Sequence, residues 1–133
     1  MSLRNLFLAN TLVEVSFGLV ALLAPAQVLS LAGATLSEPA GILYARMFGT
    51  AIISMGLLSG LTLATSPIVP LESAVTTTLL VFHSLVAAVL IIGQLTGVRD
   101  SWGWTVVGLH LFFAGSFAYF RFSSKIVKVD IGI

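Results

Sequence analysis

Residues 71–95 read LESAVTTTLLVFHSLVAAVLIIGQL, and this run decides the fold class. It is longer than the roughly 20 apolar residues an α-helix needs to cross a bilayer. After Glu72 its one ionisable side chain is His83. Three more runs of the same kind lie at about 3–24, 40–64 and 102–122, and a polar tail, 123–133, follows. The pattern predicts an all-α protein, a transmembrane up-down four-helix bundle forming one integral membrane domain over residues 1–133.

Composition points the same way. Hydrophobic residues make up 58% of the 133 and charged residues 8%, with a mean hydropathy of +1.11. A soluble domain carries roughly 25% charge, so no water-facing surface can be built from this inventory. The lipid bilayer is the first partner implied. A net charge of +1 leaves no basic face for nucleic acid. The absence of cysteine excludes disulfides, thiolate metal sites, c-type haem attachment and cysteine nucleophiles. There is no phosphate-binding glycine loop, no His-Glu-x-x-His pair and no Gly-x-Ser-x-Gly elbow.

Punctuation between the runs sets short loops. Arg4 before an apolar stretch, with Ala24-Pro25-Ala26 after it, imitates a signal peptide. Glu14 interrupts the middle of that stretch, so it is read as the first transmembrane helix. Pro25 ends or kinks this helix, and residues 27–31 are placed along the interface. Ser37 is expected to cap the second helix with Pro39 in its first turn. Ser66-Pro67-Ile68-Val69-Pro70 is a stop signal, and Arg99-Asp100-Ser101 is a tight charged loop.

Four spans put Arg4, Arg121, Lys125 and Lys128 on one face and Arg99 on the other. The positive-inside rule then places both termini in the cytoplasm of what is read as a bacterial inner membrane. Trp102, Trp104 and Tyr119 suit aromatic belts. Gly56-x-x-x-Gly60 and Gly93-x-x-x-Gly97 are expected to let backbones approach closely within the bundle.

The chain has six Lys or Arg and five Asp or Glu. All but Glu14 and Arg46 fall at run ends, in loops or in the tail. These two, with His83 and His110, give each span one ionisable group where the hydrocarbon would be. Such groups face a bundle interior and mark ligand, ion or proton sites. Counting rise from the non-cytoplasmic ends, Glu14 falls roughly 15 Å deep, Arg46 roughly 9 Å, His110 roughly 12 Å and His83 roughly 18 Å.

Glu14 and Arg46 are therefore expected to pair, with Asn10 one turn away hydrogen-bonding into the pair. Two roles stay open: a buried salt bridge fixing helix register, or a site for an anionic headgroup or for proton exchange at Glu14. His83 and His110 likewise either hydrogen-bond to Glu14, a hydroxyl or a carbonyl, or ligate a haem iron, a quinone or a chlorophyll magnesium. A metal bound by this set alone would need ligands converging from three helices, and none is expected. Thr50, Ser54 and Thr105 are read as bonding their own helix backbone, and Phe112, Phe113, Phe117, Phe120 and Phe122 as lipid-facing or packing surface.

Two resemblances stand beside this reading. Leu12-Val13-Glu14-Val15 is similar to the first-helix glutamate segment of small multidrug transporters. In that family the glutamate binds substrate and exchanges protons. The tryptophan-bearing third-helix motif of that family is missing here, and Arg46 would neutralise the glutamate. The Pro25-bearing end of span one, followed by Tyr44-Ala45-Arg46-Met47-Phe48-Gly49, resembles the small four-helix membrane proteins of the DoxX-like kind. That resemblance supports the fold and carries no activity onto these residues.

The function expected first is non-enzymatic: binding of a lipid-like ligand or pigment, or service as an accessory subunit of a larger membrane complex. A proton-coupled transporter of small amphipathic molecules using Glu14, usually as a homo-oligomer, is the alternative. A b-type haem or quinone redox protein using His83 and His110 is the second alternative.

Overall fold

The structure, a computed structural model, describes residues 1–31, 39–65, 69–97, 101 and 103–123. Ser37, Glu38, Pro67, Arg99, Asp100, Trp102, Lys125 and Lys128 lie outside the described residues. Among the described residues five helices form: α1 (Leu3–Leu23), α2 (Pro25–Leu31), α3 (Pro39–Ala64), α4 (Val69–Leu95) and α5 (Gly103–Ser123). Four of them are long and apolar enough to cross a membrane. The fold is an all-α four-helix bundle, and its spans end within two residues of the boundaries that hydropathy sets.

Local chemistry explains the breaks. Ser2 caps α1, its Oγ accepting from the Asn5 N–H at 3.2 Å. Proline opens a helix well because its missing N–H would be unpaired there anyway. Accordingly Pro25 begins α2 and Pro39 begins α3. α4 stops at Leu95, and Gly97 two residues on has a φ of +71°, the left-handed conformation glycine tolerates. Nothing lies within 4 Å of a Cβ built there, so Gly97 terminates a helix and does not mediate close packing. This corrects the expectation for the Gly93-x-x-x-Gly97 pair.

The bundle is built from two close pairs, α1 with α3 and α4 with α5, and the pairs meet along a sparser seam. Glycine makes the first pair close. A Cβ on Gly18 would come within 2.7 Å of the Gly49 carbonyl oxygen and 2.6 Å of Ile53 Cγ1. One on Gly56 would lie 3.1 Å from Glu14 Cβ and 3.0 Å from the Val15 backbone nitrogen. With little hydrophobic drive between helices in lipid, such backbone proximity and its dispersion contacts supply the association. Between α4 and α5, Arg121 Nε donates to Thr77 Oγ1 at 3.0 Å.

Across the seam, α1 contributes Leu6 and Phe7, α4 contributes Val75 and Leu79, and α5 contributes Phe113 and Phe117 to a buried core. A third or less of each span is buried. Leu12, Leu23, Leu61, Leu85, Val89, Ile92 and Leu95 are each more than half exposed on the outside. An apolar perimeter of this extent is stable in hydrocarbon and not in water. The protein is an integral membrane protein.

Candidate functional site

One turn beyond the Leu6–Phe7 core, the interior becomes polar. On α1 the inward stripe runs Leu3, Phe7, Asn10 and Glu14, a spacing of three and four that keeps all four on one helix face. Asn10 and Glu14 are 0% and 3% exposed, His83 on α4 is 1% exposed and Ser59 on α3 is 0% exposed. His110 from α5 completes the group. The seam thus brings together polar side chains from all four spans.

The hydrogen bonds form a directed chain. Ser59 Oγ donates to the Met55 carbonyl at 3.3 Å, so its lone pair is free to accept from Asn10 Nδ2 at 2.8 Å. The other Nδ2 proton goes to Glu14 Oε2 at 3.1 Å. Asn10 Oδ1 is then left as an acceptor, and His83 Nε2 lies 2.7 Å from it. His83 therefore carries its proton on Nε2 when neutral, and its Nδ1 is an acceptor. His110 Nδ1, 2.9 Å from that atom, is the donor. His83 is held flat by aromatic stacking: Phe113 at 4.9 Å and 17°, and Phe117 at 5.9 Å and 14°.

One atom escapes this accounting. Glu14 Oε1 is buried with no hydrogen-bond partner. It lies 3.5 Å from His83 Nε2, within ion-pair range but not bonded, because the Nε2 proton is directed at Asn10. A buried carboxylate oxygen without a donor is costly. The pair can be neutral or can share its charge internally, depending on where one proton resides. Beside it is a small cavity of about 30 Å³, bounded by Glu14, His83 and His110 and by apolar walls that include Phe17, Ile52 and Val106. A cavity needs about 10–15 Å³ to hold one water, so this one has room for a water or two and for nothing larger.

Of the residues singled out from sequence, Asn10, Glu14, His83 and His110 converge. Arg46 does not. It is exposed, and the buried ionic partner of Glu14 is His83. The cause is axial register. Gly56 faces Glu14 and Gly49 faces Gly18 and Ala21, and continuing that register sets Arg46 against the last turn of α1. From Arg46 to Gly56 the helix rises roughly 15 Å, beyond the reach of a side chain. The expected Glu14–Arg46 pair is replaced by a Glu14–His83 pair.

The two histidines also meet each other directly. With their Nδ1 atoms 2.9 Å apart, they do not flank a macrocycle, and the cavity beside them does not admit one. Among the described residues no group of three or more His, Asp or Glu side chains is arranged to hold a metal ion. Ser59, Phe113 and Phe117 are participants that sequence reasoning missed. Phe113 and Phe117 follow His110 by three and seven positions, a spacing that marks its own face. Ser59 carried no comparable signal. Thr50 and Ser54 do bond their own helix, to the carbonyls of Met47 and Thr50. Phe112 and Phe122 are outward, as expected of lipid-facing surface.

Comparison of the chain with protein-family models, with curated proteins and with solved structures finds no match.

Proposed function

We propose that this chain is a proton-coupled membrane protein, in which the Glu14–Asn10–His83–His110 cluster takes up and releases a proton and couples that event to the passage of a small amphipathic molecule. The observation that carries the reading is the unpartnered Oε1 of Glu14, buried 3.5 Å from a protonated ring nitrogen. An accessory subunit or a purely structural cluster calls for internal satisfaction of every polar atom, and this cluster lacks it. The removal of Arg46 from the site also leaves Glu14 without the fixed cation that would hold it permanently ionised.

The transfer balances when an excess proton, taken from water, makes His110 an imidazolium and Glu14 begins as a carboxylate. His110 passes its Nδ1 proton to His83 Nδ1 and keeps the one on Nε2, while His83, turned from Asn10, releases its Nε2 proton to Glu14 Oε1. Both imidazoles end neutral and Glu14 becomes a neutral acid, so charge is conserved inside the cluster. The cavity admits water but no substrate, so a larger molecule would be admitted along the sparse seam between the helix pairs. The spans read as lying in a bacterial inner membrane with both termini cytoplasmic, since Arg4 and Arg121 share a face. A homo-oligomer or a larger complex is compatible with this role.

The test is proton flux in proteoliposomes under an imposed pH gradient, read by an entrapped pH dye, for the native chain and for Glu14→Gln. Glutamine keeps the shape and the acceptor, so the variant should stay folded and lose the flux. Equal flux in both would refute the reading.

A further inference from the structure

From the Asn10–Ser59 contact, α3 presents a polar side chain at each successive turn toward its end: Ser59, Thr62 and Thr65. Thr62 is 6% exposed and Ser59 is 0% exposed. Each of the three hydroxyls donates to a carbonyl of its own helix: Met55 for Ser59, Leu58 for Thr62 and Thr62 for Thr65. In each the internal bond consumes the hydroxyl proton; Ser59 Oγ then accepts from Asn10, and the oxygens of Thr62 and Thr65 remain as acceptors for water.

Against this stripe is a cavity of about 260 Å³, lined among others by Arg4, Phe7, Thr62, Thr65 and Glu72. It opens at the membrane face that carries the start of α1, the end of α3 and the start of α4. Its mouth holds two charged side chains of opposite sign that form no ion pair with each other among the described residues. Charges in that state are hydrated. Its floor, Phe7 and Thr62, lies one helical turn from Asn10 and Ser59, roughly 5 Å. Toward the opposite face the cluster meets the small cavity walled by Phe17, Ile52 and Val106.

We infer that the cavity of about 260 Å³ is a water-filled vestibule, through which the buried cluster exchanges protons with the aqueous phase on the Arg4 face. Thr65 and Thr62 form its hydrogen-bonding wall, and Ser59 lies one turn beyond its floor. Phe7 is the plug at its floor, separating bulk-like water from Asn10 until the seam moves. The inference rests on the proton-exchange reading of Glu14 and gives it a direction.

The natural absence of cysteine makes the test direct. Single variants Thr62→Cys and Thr65→Cys are reconstituted with an N-terminal tag to report sidedness, with Leu61→Cys as the lipid-facing control. A membrane-impermeant cationic methanethiosulfonate reagent is applied to each side in turn. Thr62→Cys and Thr65→Cys should react at least about tenfold faster than Leu61→Cys, and from the tagged side alone. Rates no faster than that of Leu61→Cys, or equal from both sides, overturn the inference. If Thr62→Cys does not fold, Thr65→Cys decides by the same criterion. Labelling reads water access and not proton flux. Fast one-sided labelling with unchanged flux in Glu14→Gln would sink the proton reading and leave the vestibule standing.

Discussion

His83 and His110 are joined nitrogen to nitrogen, Nδ1 to Nδ1 at 2.9 Å, although they come from different helices and share no carboxylate between them. Two neutral imidazoles can meet this way only if one donates and the other accepts. The bond from His83 Nε2 to Asn10 Oδ1 settles which does which.

The first prediction follows from that assignment. In nitrogen-15 NMR of the labelled protein in lipid, neutral His83 should show the Nε2–H tautomer and neutral His110 the Nδ1–H tautomer. The opposite pair of tautomers would mean that the Asn10 amide is turned over. Asn10→Leu should release the constraint and mix the tautomers of His83.

A second prediction concerns the α1–α3 contact. Gly18→Val adds atoms where a Cβ already lies 2.7 Å from a backbone oxygen and 2.9 Å from a backbone nitrogen. Neither neighbour can turn aside, so the helices must separate. Overpacking of this kind costs about 1–3 kcal/mol, read as a lower midpoint in detergent-induced unfolding. Gly115→Ala, where nothing lies within 4 Å of the new methyl, should leave the midpoint unchanged.

Arg46 supplies a third. An exposed arginine at the level of the last turn of α1 reaches the interface by extension of its own side chain. Arg46→Gln should therefore change unfolding free energy by no more than about 0.5 kcal/mol. It should also leave proton flux intact. Loss of a buried ionic partner would instead cost about 3–5 kcal/mol, and a measured loss of that size would restore the Glu14–Arg46 pair.

The contrast between Arg46 and His83 shows what the sequence made legible. Span limits follow from composition summed along the chain, and Leu3–Leu23 or Gly103–Ser123 could be placed from that alone. Depth was harder, because it assumed that neighbouring helices end level. They do not: α3 has 26 residues against 21 in α1, and Gly56 rather than a residue near Arg46 faces Glu14. Rotation was readable only locally, where Asn10 and Glu14, four residues apart, share one face of α1. Ser59 was invisible because a single serine among glycines and leucines looks like any packing residue. Its role exists only once Asn10 has a partner across the α1–α3 contact.

The two-pair construction also orders the birth of the molecule. α1 and α3 leave the insertion machinery together and can close on their glycines at once, with no need of the later helices. Asn10 meets Ser59 within that hairpin and His83 meets His110 within the second, but the sides of Glu14, Asn10 and His83 that face the other hairpin stay open to lipid. Hairpin formation alone cannot complete the network, because the Asn10–His83 bond and the Glu14–His83 approach cross from one hairpin to the other. The final docking of one hairpin on the other is therefore driven by the groups that serve the finished protein, and an assembly that fails to bring them together remains marked by exposed polar atoms in the membrane.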